Sequence, residues 1–136
     1  MKAELEVDPA KIALAQRIAN DLIDCDSAIL SMIVVDRLGR VLHTSRSSRL
    51  PASESVSPEL VQIYGTIAMM MVGAAEKAVQ IMGGTEAIVG IFKNQKVLLV
   101  NLMEYDVLLA LRLTRSVNAE YVCEKIGDIL GTRGER

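Results

Sequence analysis

A chain of 136 residues, 51% hydrophobic and 24% charged, has the size and balance of one globular domain with one core. A net charge of −2, with one Phe, three Tyr and no Trp, supplies neither a basic excess to track phosphates nor aromatic platforms for bases, which argues against nucleic acid as a partner. A folded monomer of this mass exposes roughly 7,000 Å², and so high an aliphatic load leaves too few charged residues to cover it, so some aliphatic surface is expected to meet another protein.

Residues 1–8 alternate in charge and lack an apolar run, which reads as a short N-terminal segment rather than a secretion signal. Asp8-Pro9 opens a helix, with Asp as N-cap and Pro at the first helical position. Ile12, Ala15, Ile18, Ala19, Leu22 and Ile23 fall on one stripe of it. Residues 27–35 are apolar on both alternating faces, the pattern of a strand covered on both sides. Asp36-Arg37-Leu38-Gly39 is a hairpin turn with Gly39 free to take positive φ, and residues 40–45 form a second, more polar strand. Residues 46–57 lose periodicity and read as a loop.

Ser57-Pro58-Glu59 caps a long helix predicted over residues 58–82 and stopped by Gly83-Gly84, roughly 37 Å at 1.5 Å per residue. On its wheel Leu60, Tyr64, Ile67, Met71, Ala74, Ala78 and Met82 face one way. Val61, Ala68, Val72, Ala75 and Val79 widen that face on one side, and Ile63, Met70 and Ile81 on the other. The apolar arc spans about 200°, about twice a minimal core stripe, so the helix is expected to pack on a partner as well as on its own sheet. Three strands follow, over 87–92, 97–103 and 107–113, with turns at Asn94-Gln95 and 104–106. A last helix carries Ala119, Val122, Cys123, Ile126, Ile129 and Leu130 on one stripe, and residues 131–136 form a fraying tail. The domain therefore runs over residues 9–130, in the order α-β-β-α-β-β-β-α, and strands apolar on both faces require helices on both sides of the sheet.

Little here points to chemistry. His43 is the only histidine, and no second His, Cys or carboxylate stands at a metal-ligand spacing from it. Cys25 lies between two aspartates that disfavour its thiolate, and Cys123 falls on a core stripe; two distant cysteines read as reduced, structural and cytoplasmic. No phosphate-binding glycine loop, cofactor motif or membrane span is present in the sequence, so no catalytic, metal or cofactor residue is assigned. Arg46 and Arg49 lie in the one long loop, where a solvated role outweighs contact with an acidic or nucleotide-bearing partner.

The element order resembles the roadblock/dynein light-chain family, a profilin-like α/β fold, in a prokaryotic-type version. The apolar strand and turn Met32-Ile33-Val34-Val35-Asp36-Arg37-Leu38-Gly39-Arg40-Val41-Leu42 resembles the family's first hairpin. Val97-Leu98-Leu99-Val100 and Val107-Leu108-Leu109-Ala110-Leu111 resemble its fourth and fifth strands, and the long helix stands where the family keeps its central helix. The glycine that many members carry near the start of the last helix is missing from Ser116-Val117-Asn118-Ala119-Glu120.

The resemblance implies a three-layer sandwich with sheet order 2-1-5-4-3, a two-fold homodimer with a continuous ten-stranded sheet, and a non-enzymatic scaffold that binds a small Ras-like GTPase. In that order the second and third strands are edges. The second carries Arg40, His43, Thr44 and Ser45 and resists pairing. The third, Ala87-Ile88-Val89-Gly90-Ile91-Phe92, has no charge and no proline and is open to it. The expected dimer interface is this strand with Val61, Ala68, Val72, Ala75 and Val79. The expected docking surface is Gly65, Met69, Gly73 and Glu76 beside the helix pair, with Arg46 and Arg49 in the loop. The rival reading is a sensory module of profilin or PAS-like shape holding a small ligand.

Overall fold

The carboxylate of Asp8 accepts the Ala10 N–H at 3.0 Å and Pro9 follows it, which starts α1 (Pro9–Leu22) as the sequence requires. A computed structural model of the chain describes residues 7–49, 58–78 and 86–131. The other elements are β1 (Ile29–Val35), β2 (Val41–Arg46), α2 (Pro58–Ala78), β3 (Ala87–Ile91), β4 (Gln95–Leu102), a short 3-10 turn (Met103–Tyr105), β5 (Val107–Thr114) and α3 (Ala119–Leu130). The order is the one predicted. The expected Ser57 cap, the run of the long helix to Met82 and its Gly83-Gly84 stop lie outside the described residues.

The five strands form one antiparallel sheet in the order β2-β1-β5-β4-β3. Its tightest joint is the β1–β2 turn. One oxygen of Asp36 accepts the N–H groups of Leu38 and Arg40, both at 2.9 Å, and the other accepts Arg40 Nε at 2.8 Å. Gly39 takes φ +83° there, a conformation that favours glycine. Beyond the turn the register slips, with Val34 opposite His43 but Val35 opposite Val41, which leaves an extra residue at Leu42. The β3–β4 turn is closed by Phe92 N–H to Gln95 O at 2.9 Å, a two-residue Lys93-Asn94 turn that comes one residue before the Asn94-Gln95 turn predicted.

The two faces of the sheet hold separate cores. On one, α1 and α3 bury Ala15, Ile18, Leu22, Val122 and Ile126 against Met32, Val34, Leu98, Leu109 and Leu111. On the other, α2 sets Ala68 and Val72 on Val35, Leu99 and Leu108. Asn118 caps α3 through the Tyr121 N–H at 3.1 Å, in the place where the family often has glycine. Asp26, in the α1–β1 connection, joins the layers: it accepts the Ala28 N–H at 2.8 Å and Lys125 Nζ of α3 at 3.2 Å. The Ala28 hydrogen bond and the Lys125 ammonium hold its carboxyl below the usual carboxylate range.

The lie of α2 decides what remains open. Near its start Gln62 donates to Gly39 O at 2.6 Å and accepts the Val41 N–H at 3.2 Å; near its end Glu76 accepts Asn101 Nδ2 of β4 at 3.1 Å. The helix therefore crosses the strands from β2 to β4 at the end of the sheet that carries the β1–β2 turn. It comes close there because Gly65 has no side chain: a Cβ on it would stand 2.9 Å from Val41 Cγ2 and 3.2 Å from the Gly39 carbonyl oxygen. Gly73, eight residues on, has nothing within 4 Å of that position. The two glycines should therefore respond oppositely to alanine. Gly65→Ala is expected to destabilise by about 1–3 kcal/mol through overpacking, and Gly73→Ala to stabilise by about 0.4–1 kcal/mol. Thermal melts at one protein concentration check both signs.

Candidate interaction surface

Where α2 comes close to the sheet, the residues beneath it are small, although Gly73, Ala74 and Ala78 of the same helix are exposed. Ala68 (4% exposed) and Val72 (2%) are buried, Gly65 is buried beside the hairpin, and Val61 and Ala75 are half-buried. The large side chains Ile63, Tyr64, Ile67, Met70 and Met71 are all exposed, Met70 to 66%. This corrects the expected interface: Ala68 and Val72 are core of their own chain and are covered by β1, β4 and β5. Val79 lies outside the described residues. Neither apolarity, which runs almost round the helix, nor size marks this face in the sequence, since Gly73, Ala74 and Ala78 are small and exposed.

The expected docking residues also separate. Gly65 is spent on the chain's own hairpin and is not surface. Met69 packs half-buried on the smaller core, and Glu76 is held to Asn101. Gly73 is exposed, in the sector of Gln62, Thr66 and Lys77. Arg46 is the last residue of β2 rather than part of a loop, and Arg49 reaches back to Asp24 Oδ1 at 3.7 Å. On the wheel, Tyr64, Ile67 and Met71 lie across the helix from the residues that lean on the β1–β2 turn. They overlook the part of the sheet that α2 leaves partly open, where Ile33, Val97 and Ala110 are half-buried.

The second open feature is the β3 edge. Phe92 N–H bonds to Gln95 O and Asn101 N–H to Glu86 O, so the even-numbered residues of β3 direct their backbone groups at β4. Ala87, Val89 and Ile91 turn theirs to the edge, where no other described strand pairs with them. Val89 and Ile91 are 44% and 63% exposed, and Phe92 is exposed beside them with its ring over Gly90. Exposed apolar side chains flanking unpaired strand groups form a surface suited to another strand.

The charged groups around Asp106 neutralise one another. Asp106, held at φ 59°, receives Lys11 Nζ at 2.8 Å and Arg37 Nε at 3.1 Å, and these two cations keep its carboxyl below the usual range. With Asp36 and Arg40 they line a shallow cavity of about 220 Å³ in which every cation meets a carboxylate, which leaves no net charge to select a small anion. His43 is half-buried opposite Val34, and burial lowers its pKa. The Cys25 thiol is raised by burial first, with Asp26 and Asp24 adding to the effect against Lys125. Among the described residues no group of three His, Cys, Asp or Glu side chains could hold a metal ion, and no helix is long and apolar enough to cross a membrane.

Adjacent residues on α2 test this assignment of faces. Ala68→Glu puts a carboxylate into the core under the helix and should cost several kcal/mol or abolish folding. Ile67→Glu should keep the native far-UV circular dichroism spectrum. Equal behaviour of the two would mean that the helix is rotated from the orientation described.

No family model and no curated protein matches the sequence. Solved structures do match the fold. A roadblock/LC7 domain from Streptomyces avermitilis superposes with a TM-score of 0.66 at 11% identity, over 85% of this chain and 91% of that one. The gliding protein MglB from Thermus thermophilus gives 0.65 at 15% identity, over 90% and 93%. Myxococcus xanthus MglB gives 0.60 at 14% identity, over 96% and 92%. With its sheet order, its crossing central helix and these superpositions, the chain has the roadblock/LC7 fold.

Proposed function

We propose that the chain acts as a two-fold homodimer that binds another protein without chemistry of its own, a small Ras-like GTPase being the first candidate. The observation that carries this is the free β3 edge next to the exposed apolar flank of α2. A two-fold axis normal to the sheet keeps each residue on its own face, so β3 can pair with its copy only in registers that match odd with odd residues. Centring the axis on Val89 uses the whole strand: Val89 meets its own copy, and Ala87 meets Ile91 of the sister copy in both directions. Every edge N–H and C=O of the three outward residues then has a partner, in a self-complementary contact.

The same axis explains the flank of α2. Because the helix crosses one end of its sheet, the rotation brings the sister helix over the opposite end, antiparallel to it. The exposed flank that carries Tyr64, Ile67 and Met71 then points, in each copy, toward the end of the ten-stranded sheet where the sister helix runs. Two half-covered faces complete each other, and this removes more apolar surface from water than strand pairing alone. Val61 and Ala75 take part from the half-buried side of each helix, and Ile88 and Gly90 carry the seam on the α2 face.

The partner surface in this reading is the outer sector of the paired helices, with Gly73, Met69 and Glu76; Arg46 and Arg49 lie at the other end of the sheet, Arg49 beside Asp24 and Asp26, and stay outside it. Polypeptide backbone approaches a helix closest where it carries glycine, and methionine adapts to the shape it meets. The family resemblance supplies the small GTPase as the kind of protein bound there; the alternative is a sensory module of profilin or PAS-like shape that holds a small ligand.

Two measurements check the proposal. In a Cys25→Ser, Cys123→Ser background, Val89→Cys should cross-link to its own copy on oxidation, because directly opposed strand residues stand about 5.5 Å apart at Cα. Ile91→Cys alone should not. The reverse result would displace the register, and a chain sedimenting at its single mass of 14.8 kDa at micromolar concentration would remove the dimer. Gly73→Arg is expected to remain folded and dimeric but to lose capture of a small GTPase from the native cytoplasm by about tenfold or more. Unchanged capture would move the docking surface elsewhere.

A further inference from the structure

A strand edge offers a partner backbone groups that every chain carries, so selectivity has to come from the side chains around it. Residues 87–92 of β3 are uncharged, but the two ends of the strand carry opposite charge. Glu86 precedes the strand and is exposed; its carbonyl accepts the Asn101 N–H at 2.8 Å, which continues the ladder with β4 by one residue. Asn101 also donates Nδ2 to Glu76 Oε2 at 3.1 Å, so a second carboxylate stands at this end. At the other end Lys93 is exposed in the turn, and Arg115, from the connection after β5, donates Nε to the Phe92 carbonyl at 3.0 Å. Neither Glu86 nor Lys93 forms an ion pair with a described residue. Lys77 of α2 and Glu120 and Glu124 of α3, all exposed, form none with these groups either.

We propose that these end charges select what pairs with the edge: a second copy of this chain, run antiparallel, in preference to a strand of another protein. The inference rests on the two-fold dimer proposed above. A strand that is acidic at its start and basic at its end is complementary to its own antiparallel copy and repels a parallel one. In the pairing centred on Val89, Glu86 stands directly opposite Phe92 of the sister copy. Even-numbered residues bond to β4, so this is a non-hydrogen-bonded pair across the seam, with Cα atoms about 4.5 Å apart. Glu86 then meets the two cations that flank that phenylalanine, Lys93 next along the chain and Arg115 at its carbonyl. The two-fold axis repeats the contact at the other end of the seam.

The same charges bear on register. Moving the axis to Ile88 sets Glu86 opposite Gly90 of the sister copy, two residues short of Phe92, and so about 7 Å from both cations. A foreign strand of equal β propensity satisfies the backbone of the edge equally well. It still meets a carboxylate at one end and two cations at the other, and it is repelled unless its own ends carry the reverse order. One exposed ion pair changes affinity by about fivefold at most. Here the two-fold axis makes every substitution act twice, and reversal replaces attraction with repulsion.

The test measures dimer dissociation constants of the full chain by sedimentation equilibrium, for the wild type, for Glu86→Lys, and for Lys93→Glu with Arg115→Glu. Each variant alone opposes like charges at both ends of the seam and should dimerise about tenfold or more weakly than the wild type. Mixed in equal amounts, the two variants restore unlike charges at both ends, so the mixed dimer should form near the wild-type constant. Energy transfer between differently labelled chains reads that preference, which should shrink in about 1 M salt. If the chain with Arg115→Glu does not fold, Lys93→Glu alone should favour Glu86→Lys in the same direction, by less. Variants that dimerise as the wild type does, or a mixture no tighter than its components, overturn selection by charge and leave the dimer standing. A wild-type chain that stays monomeric overturns both.

Discussion

The structure depends on the close approach of α2 to the β1–β2 turn. Gly65 allows it, with Val41 and the Gly39 carbonyl filling the space a side chain would need. Gln62 fixes it by bonding both Gly39 O and Val41 N, so the helix is anchored to the hairpin at one end and to Asn101 at the other. A helix held at those two points must cross the strands, and a crossing helix cannot cover a whole sheet face. The open half-face, the outward large side chains and the uncovered strand edge all follow from that geometry.

The two edges of the sheet show how the same fold protects one side and leaves the other available. At β2 the register slip at Leu42 twists the strand, His43, Thr44 and Arg46 put polar groups along it, and α1 packs beside it. These are the usual means of blunting an edge. At β3 none of them is present: the strand is regular against β4, carries no charge between Ala87 and Ile91, and has Val89 and Ile91 exposed. An edge of that kind favours a partner strand, and a copy of itself satisfies it with no further design. The proposed homodimer is thus a consequence of one unguarded strand.

Much of the fold could be read from the residues. Asp8-Pro9 marked the first helix, Asp36 and Gly39 the hairpin, and the stripes of α1 and α3 named core residues that are buried, including Ile18, Leu22, Val122 and Ile126. The strand ends moved by one or two residues because apolar runs continue past the last ladder pair, as at Phe92 and Met103. The face of α2 was harder to read, and for a physical reason. Ile, Met, Val and Ala surround most of the helix, so hydrophobicity carries little phase information there. Side-chain volume carries little more, since Gly73, Ala74 and Ala78 are exposed; the phase lay in the bonding of Gln62, which exists only once the hairpin has been brought beneath the helix. Gly65 was likewise recognisable as a close-approach residue, but its neighbour, the chain's own turn, was not.

Hydrogen exchange at β3 measures the proposed dimer most directly. In the pairing centred on Val89, the amides of Ala87, Val89 and Ile91 are bonded across the seam, while those of Ile88 and Gly90 are bonded to β4 in either state. At micromolar concentration all five should be protected. On dilution toward the monomer the odd-numbered three should lose protection together, while Ile88 and Gly90 keep theirs. Rapid exchange of Ala87, Val89 and Ile91 at every concentration would contradict the account, since it would show the edge facing water rather than a second copy.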